Sequence, residues 1–328
     1  MTDRGGARAA VLAVLVVGAG CRGAPVPSEA DPGPPSPALA WDLARAEVLH
    51  WQADDGAFAQ DRALEASGLA STSRYLYVPS EKYASVLQVD PAAGWSARVL
   101  TLAVPSGSEL EGAAVVGTTL WVCDEAHAAV YVAELGEGET DAGAMLPVRG
   151  LELDGVGVRG GKVGLEGLAV SPDGTAVFLL RERRGVELTG CSSTIFRLRV
   201  EDGRLVASAS PVEIDLEDCT WRLSSLELWH GRLLALKTRY PGEEYLVIEV
   251  DPESGRWWPT CDLTAIARQL AAEGWSNNLE GLALSDTGDL FLVSDNAVTW
   301  DAAPGGPPPA RDRTLFLRVP RVEAPPGE

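Results

Sequence analysis

Glu166-Gly-Leu-Ala-Val-Ser-Pro-Asp-Gly174-Thr-Ala-Val-Phe178-Leu-Leu-Arg181-Glu182 reads as two short strands joined by a tight turn. Pro172-Asp173-Gly174 supplies the turn: proline presets φ, aspartate bonds the following backbone, and glycine takes a left-handed corner. The flanking runs are short and apolar, which suits strands buried on both faces. Glu166 opens the first strand and Arg181-Glu182 closes the second. The second strand returns antiparallel to the first, so those charged ends meet on one side.

The phrase recurs along the chain. It appears as Ser67-Gly-Leu-Ala70 leading to Tyr75-Leu-Tyr-Val78 and Glu81, then as Glu111-Gly-Ala-Ala114 leading to Leu120-Trp-Val-Cys-Asp124-Glu125. After residue 166 come Ser224-Ser-Leu-Glu-Leu228, leading to Leu233-Leu-Ala-Leu-Lys237, and Glu280-Gly-Leu-Ala283, leading to Leu290-Phe-Leu-Val-Ser-Asp295-Asn296. The starting positions 67, 111, 166, 224 and 280 are 44, 55, 58 and 56 residues apart. Repeats of this size built from short strands are the signature of a β-propeller.

Each unit continues into two further strands: Ser85 to Val89 and Ala97 to Val104, Ala129 to Leu135 and Met145 to Leu153, Thr194 to Val200 and Pro211 to Leu216, Tyr245 to Val250 and Trp257 to Leu263. The last unit supplies only Thr314 to Val319, and a strand-like segment, Arg45 to Trp51, is left over at the front. Pairing it with the last unit closes the ring and removes the exposed sheet edges. The expected fold is all-β: a single propeller over residues 41–322, closed by an N-terminal strand, with five four-stranded blades, or six if two units are merged in this reading. Thr264 to Glu273 reads as a helical insertion.

The chain has 328 residues, of which 46% are hydrophobic, enough to bury a full core. Its 47 acidic and 27 basic residues give a net charge of −20. Such a surplus excludes a nucleic-acid surface, which needs clustered Lys and Arg. The N-terminus carries Arg4 and Arg8, an apolar run from Ala9 to Val17, and Gly18-Ala-Gly20 before Cys21. That run is too short to span a bilayer but suits a secretory signal over residues 1–20. The segment resembles a bacterial lipobox, which implies lipidation of Cys21; an ordinary signal peptide with an incidental cysteine is the other reading. Arg22 after the cysteine implies sorting to the outer membrane, facing the periplasm or the cell surface. Residues 21–40 form a Pro-rich tether to that membrane anchor, and residues 323–328 a disordered tail. The domain is expected as a monomer.

Strand polarity places the candidate chemistry. Glu111, Glu166 and Glu280 start inner strands, with Ser67 and Ser224 at the equivalent places. Glu81, Lys82, Asp124, Glu125, Arg181, Glu182, Arg183, Lys237, Arg239, Asp295 and Asn296 end second strands. A ring of carboxylates interleaved with Arg and Lys should therefore surround one channel mouth. Glu111, Glu166, Glu280, Asp295 and Asn296 offer the oxygen donors that a hard cation such as Ca²⁺ takes. Lys82, Arg181, Arg183, Arg222, Lys237 and Arg239 are the candidate ligand-binding cations, the arginines suited to forked bonds with a phosphate. The plainer reading has the glutamates accept backbone N–H bonds or pair with arginines, fixing blade to blade. Trp221, Trp275 and Trp300 border the mouth, either to stack on a ligand or to pack blades. Cys191 and Cys219 bracket the outer strands of one blade on the mouth side and are expected to form a disulfide; Cys123, within an apolar strand, is expected as a buried thiol. No G-x-S-x-G nucleophile elbow is present, and His50, His127 and His230 lack metal-ligand spacing.

Three phrases in order, Val163-Gly-Leu-Glu-Gly-Leu-Ala-Val-Ser-Pro-Asp-Gly174, Arg222-Leu-Ser-Ser-Leu226 with Gly231-Arg-Leu-Leu-Ala-Leu-Lys-Thr-Arg-Tyr240, and Asn278-Leu-Glu-Gly-Leu-Ala283 with Leu292-Val-Ser-Asp-Asn296, resemble the phytase-like family described as "esterase-like activity of phytase". The resemblance spans roughly residues 60–320, and the SdiA-regulated proteins and an exported family with similar Glu-Gly-Leu-Ala repeats are similar too. It implies an exported propeller with a phosphoesterase flavour. Two functions follow as expectations. One is an envelope-anchored propeller binding a divalent cation or a small, phosphorylated ligand, and acting, if an enzyme, as a metal-assisted hydrolase of phosphoric esters. The other is a non-catalytic binding or scaffold propeller on the cell envelope.

Overall fold

A computed structural model describes residues 39–53, 64–136, 145–154, 156, 164–182, 191–239, 243–276, 278–295 and 314–322. The signal segment, Cys21 and most of the tether, and also Arg183, Asn296, Trp300 and residues 323–328, lie outside the described residues.

Glu47–Leu49 (β1) and Gln52–Ala53 (β2) come first. The first blade is Ala70–Ser71 (β3), Leu76–Pro79 (β4), Ser85–Asp90 (β5) and Ser96–Leu102 (β6). The second is Leu110–Val116 (β7), Thr119–Asp124 (β8) and Ala129–Glu134 (β9); Met145–Leu146 (β10) follows, and Arg149–Asp154 (β11) completes the blade. The third is Leu165–Val170 (β12), Ala176–Arg181 (β13) and Ser192–Glu201 (β14), then Arg204–Ala207 (β15) and Val212–Asp215 (β16), both paired to β14. The fourth is Trp221–Trp229 (β17), Arg232–Arg239 (β18), Tyr245–Val250 (β19) and Trp257–Asp262 (β20). The helix Thr264–Ala272 (α1) precedes the last blade, Asn278–Leu284 (β21), Leu290–Asp295 (β22) and Phe316–Val319 (β23).

The N-terminal strand closes the ring as expected: β1 pairs antiparallel with β23, Glu47 opposite Arg318 and Leu49 opposite Phe316. The inner strands β3, β7, β12, β17 and β21 each touch the next, and β21 returns to β3. The protein is a β-propeller.

Two details depart from the sequence reading. The strand expected over Met145 to Leu153 is split, because Pro147 has no N–H to donate; β10 pairs with β6 of the first blade and β11 with β9 of the second. β15 is additional. Asp202 and Gly203, both with positive φ, turn the chain back onto β14, and β15 also pairs parallel with β11, stitching two blades together.

Blade strands are apolar on both faces because each face meets a different neighbour. On β8, Leu120 and Val122 pack toward the first blade while Trp121 and Cys123 pack toward the third. On β18, Leu233 and Ala235 face the third blade and Leu234 and Leu236 the last. Helix α1 inserts Ile266, Ala267 and Leu270 into the latter cluster.

Glycine sets how closely the inner strands approach. A Cβ on Gly112 would stand 2.5 Å from the Leu168 nitrogen, and one on Gly281 would stand 2.7 Å from the Gly68 carbonyl carbon. The fourth repeat has Ser225 instead, whose Oγ accepts from the Leu282 N–H at 3.2 Å. This tight girdle lies between the two ends of the channel.

Candidate functional site: a carboxylate chamber

Immediately before each of these girdle residues on β7, β12, β17 and β21 the ladder carries one extra residue. The register slips between Leu165 and Gly167, between Leu279 and Gly281, between Leu223 and Ser225, and across Glu111-Gly112. A bulge kinks the strand and re-aims the side chain it frees. Three of the bulged residues are Glu111, Glu166 and Glu280, and all three line one chamber at the channel mouth. Glu81, Glu125, Glu182 and Asp295, at the ends of second strands, complete the ring with Arg222 of β17. The chamber measures about 220 Å³. Among the described residues, its lining is therefore seven carboxyl groups and one guanidinium.

Arg222 is held on three sides. Its Nη1 donates to Glu182 at 2.8 Å, its Nη2 to Glu280 at 2.6 Å and its Nε to Thr238 Oγ1 at 3.1 Å. Asn278 donates to Glu280 at 2.9 Å and to Asp295 at 3.2 Å. Glu125 reaches across to the next blade and accepts the Gly164 N–H at 2.8 Å. So Glu280, Glu182 and Glu125 do serve to join blades. No hydrogen bond from the described residues reaches the carboxyl groups of Glu111 or Glu166, although the Arg222 charge acts on Glu166.

Burial raises the Glu81 and Glu125 carboxyls to about 7, and neighbouring carboxylates add to both shifts. Burial, then the charge of Glu166, pushes Glu111 well above the usual carboxylate range, and burial, then the charges of Glu182 and Glu125, does the same to Glu166 against the Arg222 charge. Glu280 is raised by burial even against the Arg222 charge and the Asn278 bond. Burial works against the Arg222 charge, but Glu280, Glu182 and Glu166 outweigh it and keep the guanidinium ionised. A dry ring of like charges cannot all ionise at once.

The structure divides the predicted residues. Glu111, Glu166, Glu280, Asp295 and Arg222 come together in the chamber. Lys82, Arg181, Lys237 and Arg239 do not line it. Lys82 pairs with Glu65 in solvent. Arg181 bonds Thr194 Oγ1 at 2.6 Å and lies over Phe196. Lys237 is buried between the rings of Trp221 and Trp257, at 4.4 and 3.9 Å, with Glu217 at 3.3 Å. Arg239 bonds Thr220 at 2.9 Å and Glu244 at 3.0 Å. The reason is strand parity: neighbours along a strand face opposite ways, so Arg181 turns to the blade face while Glu182 turns to the mouth. Asp124 likewise folds back to accept from the Glu109 N–H at 3.1 Å and meets His127 Nδ1 at 2.8 Å, leaving Glu125 to the chamber. Trp221 packs on Lys237, and Trp275 packs beside the helix cluster, so both are packing residues. Cys191 and Cys219 are joined in a disulfide, and Cys123 is a buried thiol.

The chamber chemistry suits a cation, and the donors are the hard oxygens that Ca²⁺ or Mg²⁺ takes. Among the described residues, however, no three Asp, Glu, His or Cys side chains gather tightly enough to form a metal's ligand shell. The carboxylates surround a space; they do not converge on a point.

The sequence model of the phytase-like family, described as esterase-like activity of phytase, matches residues 96–298. The chain belongs to that family. Among solved structures it is similar to the glutaminyl cyclase of Myxococcus xanthus, with a TM-score of 0.50 and 14% identity over 85% of this chain and 97% of that one. It is also similar to the PQQ-bound aldose sugar dehydrogenase of Streptomyces coelicolor, with a TM-score of 0.45 and 15% identity over 84% of this chain and 98% of that one. At 14% identity the likeness to the cyclase speaks to the fold alone. A search of curated proteins found no match.

Proposed function

We propose that the chamber of this phytase-like propeller holds a divalent cation together with part of its water shell. We infer further that it engages phosphorylated small molecules only in that loaded form. The supporting observation is the charge balance: seven carboxyl groups face one guanidinium, which two of them already occupy. A buried charge needs a partner, and the chain supplies too few. About 220 Å³ is many times the roughly 10–15 Å³ that one buried water requires. Carboxylates spread around such a space suit an ion bound largely through its waters, as Mg²⁺ binds, or a Ca²⁺ with its wider and more flexible shell.

When bound, a metal ion would supply positive charge to phosphate oxygens and acidify water. The chain's own residues do the rest. Glu81 and Glu125 titrate near 7 and can exchange protons with water in the chamber at neutral pH. Glu111 and Glu166 offer carboxyl groups that no hydrogen bond from a described residue reaches. Empty, the chamber repels a phosphate ester. Its described lining includes no Ser, Thr, Cys or His, so any nucleophile the chain supplies there is a carboxylate.

Binding without turnover is the second reading. It is favoured by the clamping of Arg222 between Glu182 and Glu280, which occupies the guanidinium that would grip a phosphate. Turnover of p-nitrophenyl phosphate by the purified protein, with Ca²⁺, Mg²⁺ or EDTA, separates the two. Cation-dependent hydrolysis supports the enzyme; cation binding without hydrolysis supports the binder. The N-terminal pattern supports a further part of the proposal, anchoring of the exported domain through lipid on Cys21, with the outer membrane as its site.

A further inference from the structure

The fourth repeat breaks the pattern twice. Where the others read Ser67-Gly-Leu-Ala70, Glu111-Gly-Ala-Ala114, Glu166-Gly-Leu-Ala169 and Glu280-Gly-Leu-Ala283, β17 reads Ser224-Ser-Leu-Glu227. The carboxylate missing from the chamber at Ser224 reappears three residues along the strand, beyond the glycine girdle, in a place otherwise held by alanine.

There Glu227 lines a second cavity, at the opposite mouth, of about 460 Å³. Its walls include Ala70, Ala114, Ala169, Leu228 and Trp229. Trp229 is fixed by the bond from its Nε1 to the Ser285 carbonyl, 3.1 Å. No hydrogen bond or ion pair from the described residues reaches the Glu227 carboxyl. His230 and Asp286 are the other titratable groups on the lining, and Arg321 lies over Trp229 at 5.1 Å. None of them shifts Glu227: burial alone pushes its carboxyl up to about 8.

A volume of this size fits a small molecule, and two carboxylates, Glu227 and Asp286, on a wall otherwise of mixed apolar and polar groups favour a positive charge. An anion would find no Lys or Arg on the described lining. A neutral ligand could at most hydrogen-bond the carboxyl, whereas a cation forms an ion pair with it, and a hydrated divalent ion would have to shed water against the apolar part of the wall. We propose that this second mouth binds a small amphipathic monocation, an alkylammonium, with its ammonium group on Glu227 and its chain along the alanine and leucine wall. The proton balance follows. Below pH 8 the carboxyl is mostly protonated, so an incoming alkylammonium displaces that proton to solvent and leaves a carboxylate–ammonium pair. The inference is independent of the chamber reading.

Calorimetric titration of the full protein with n-butylammonium at pH 7, in phosphate and in HEPES, tests it. The heats should differ between buffers by the release of about one proton per ligand. Affinity should fall at least tenfold in both Glu227→Gln and Glu227→Ala, the latter restoring the residue of the other repeats. n-Butanol should bind at least tenfold more weakly than the amine. Absence of saturable binding, unchanged affinity in both variants or absence of proton release would overturn the proposal. So would loss of binding in Glu166→Gln instead, which would put the amine in the carboxylate chamber.

Discussion

Arg222 donates to Glu280 across the gap between two blades, Nη2 to Oε1, at 2.6 Å. With the matching bond to Glu182, it places the chamber's one described guanidinium between two carboxylates contributed by the blades on either side. Replacing Arg222 by Gln removes the positive charge from between two buried carboxylates. The variant should lose on the order of 3 kcal/mol of stability at pH 7.5. The loss should shrink at pH 5, where the carboxyl groups are protonated. Urea unfolding at the two pH values measures both effects, and equal losses would show that the arginine acts by packing alone.

Stability should depend on pH in an unusual direction. Glu81 and Glu125 are raised to about 7 in the folded protein from an ordinary value of 4.5, and Glu111, Glu166 and Glu280 are raised as well. Between those values the folded state binds more protons than the unfolded one, so stability is fully present below about 4.5 and is lost as pH climbs through 7. The melting temperature should fall on the order of 5 °C between pH 5 and 7.5. Differential scanning calorimetry in buffers matched for ionic strength reads this; a rise over the same interval would contradict the charge assignment.

The glycine girdle makes a purely structural prediction. Gly112→Ala sets a methyl 2.5 Å from the Leu168 nitrogen, where backbone must move, and should cost about 3 kcal/mol. Ser225→Ala only removes the acceptor of the Leu282 N–H and should cost about 1 kcal/mol. Denaturant midpoints of the two variants give the order, and a larger loss in Ser225→Ala would reverse it.

The sequence patterns carry the fold further than the site. Repeated turns and two-faced apolar strands disclose the propeller, and antiparallel return puts the starts of first strands and the ends of second strands at one mouth. What repetition hides is parity. Asp124 and Glu125, or Arg181 and Glu182, are adjacent letters, yet a bulge and the end of a ladder decide which one turns inward. Lys237 and Arg239 were drawn to neighbouring tryptophans and acids of their own blade and loop, contacts that become visible only with blades packed. Glu81, Glu125 and Glu182 stood among the second-strand ends without being singled out as ligands. The Ala-to-Glu break at 227 was also legible, but its meaning depends on seeing which end of β17 it occupies.

Anchoring is tested by fractionation. With Cys21→Ser, protein in the membrane fraction should shift almost entirely to the soluble fraction if that thiol carries the lipid. Retention in the membrane would favour an ordinary signal with an incidental cysteine.

A Ca²⁺ or Mg²⁺ titration of the protein and of the Glu166→Gln/Glu280→Gln variant, followed by calorimetry at pH 7.5, tests whether the chamber holds a divalent cation. The protein should bind saturably with proton release and rise in melting temperature on the order of 5 °C, and the variant should lose both. No binding of either ion, or a shift that survives in the variant, would contradict it.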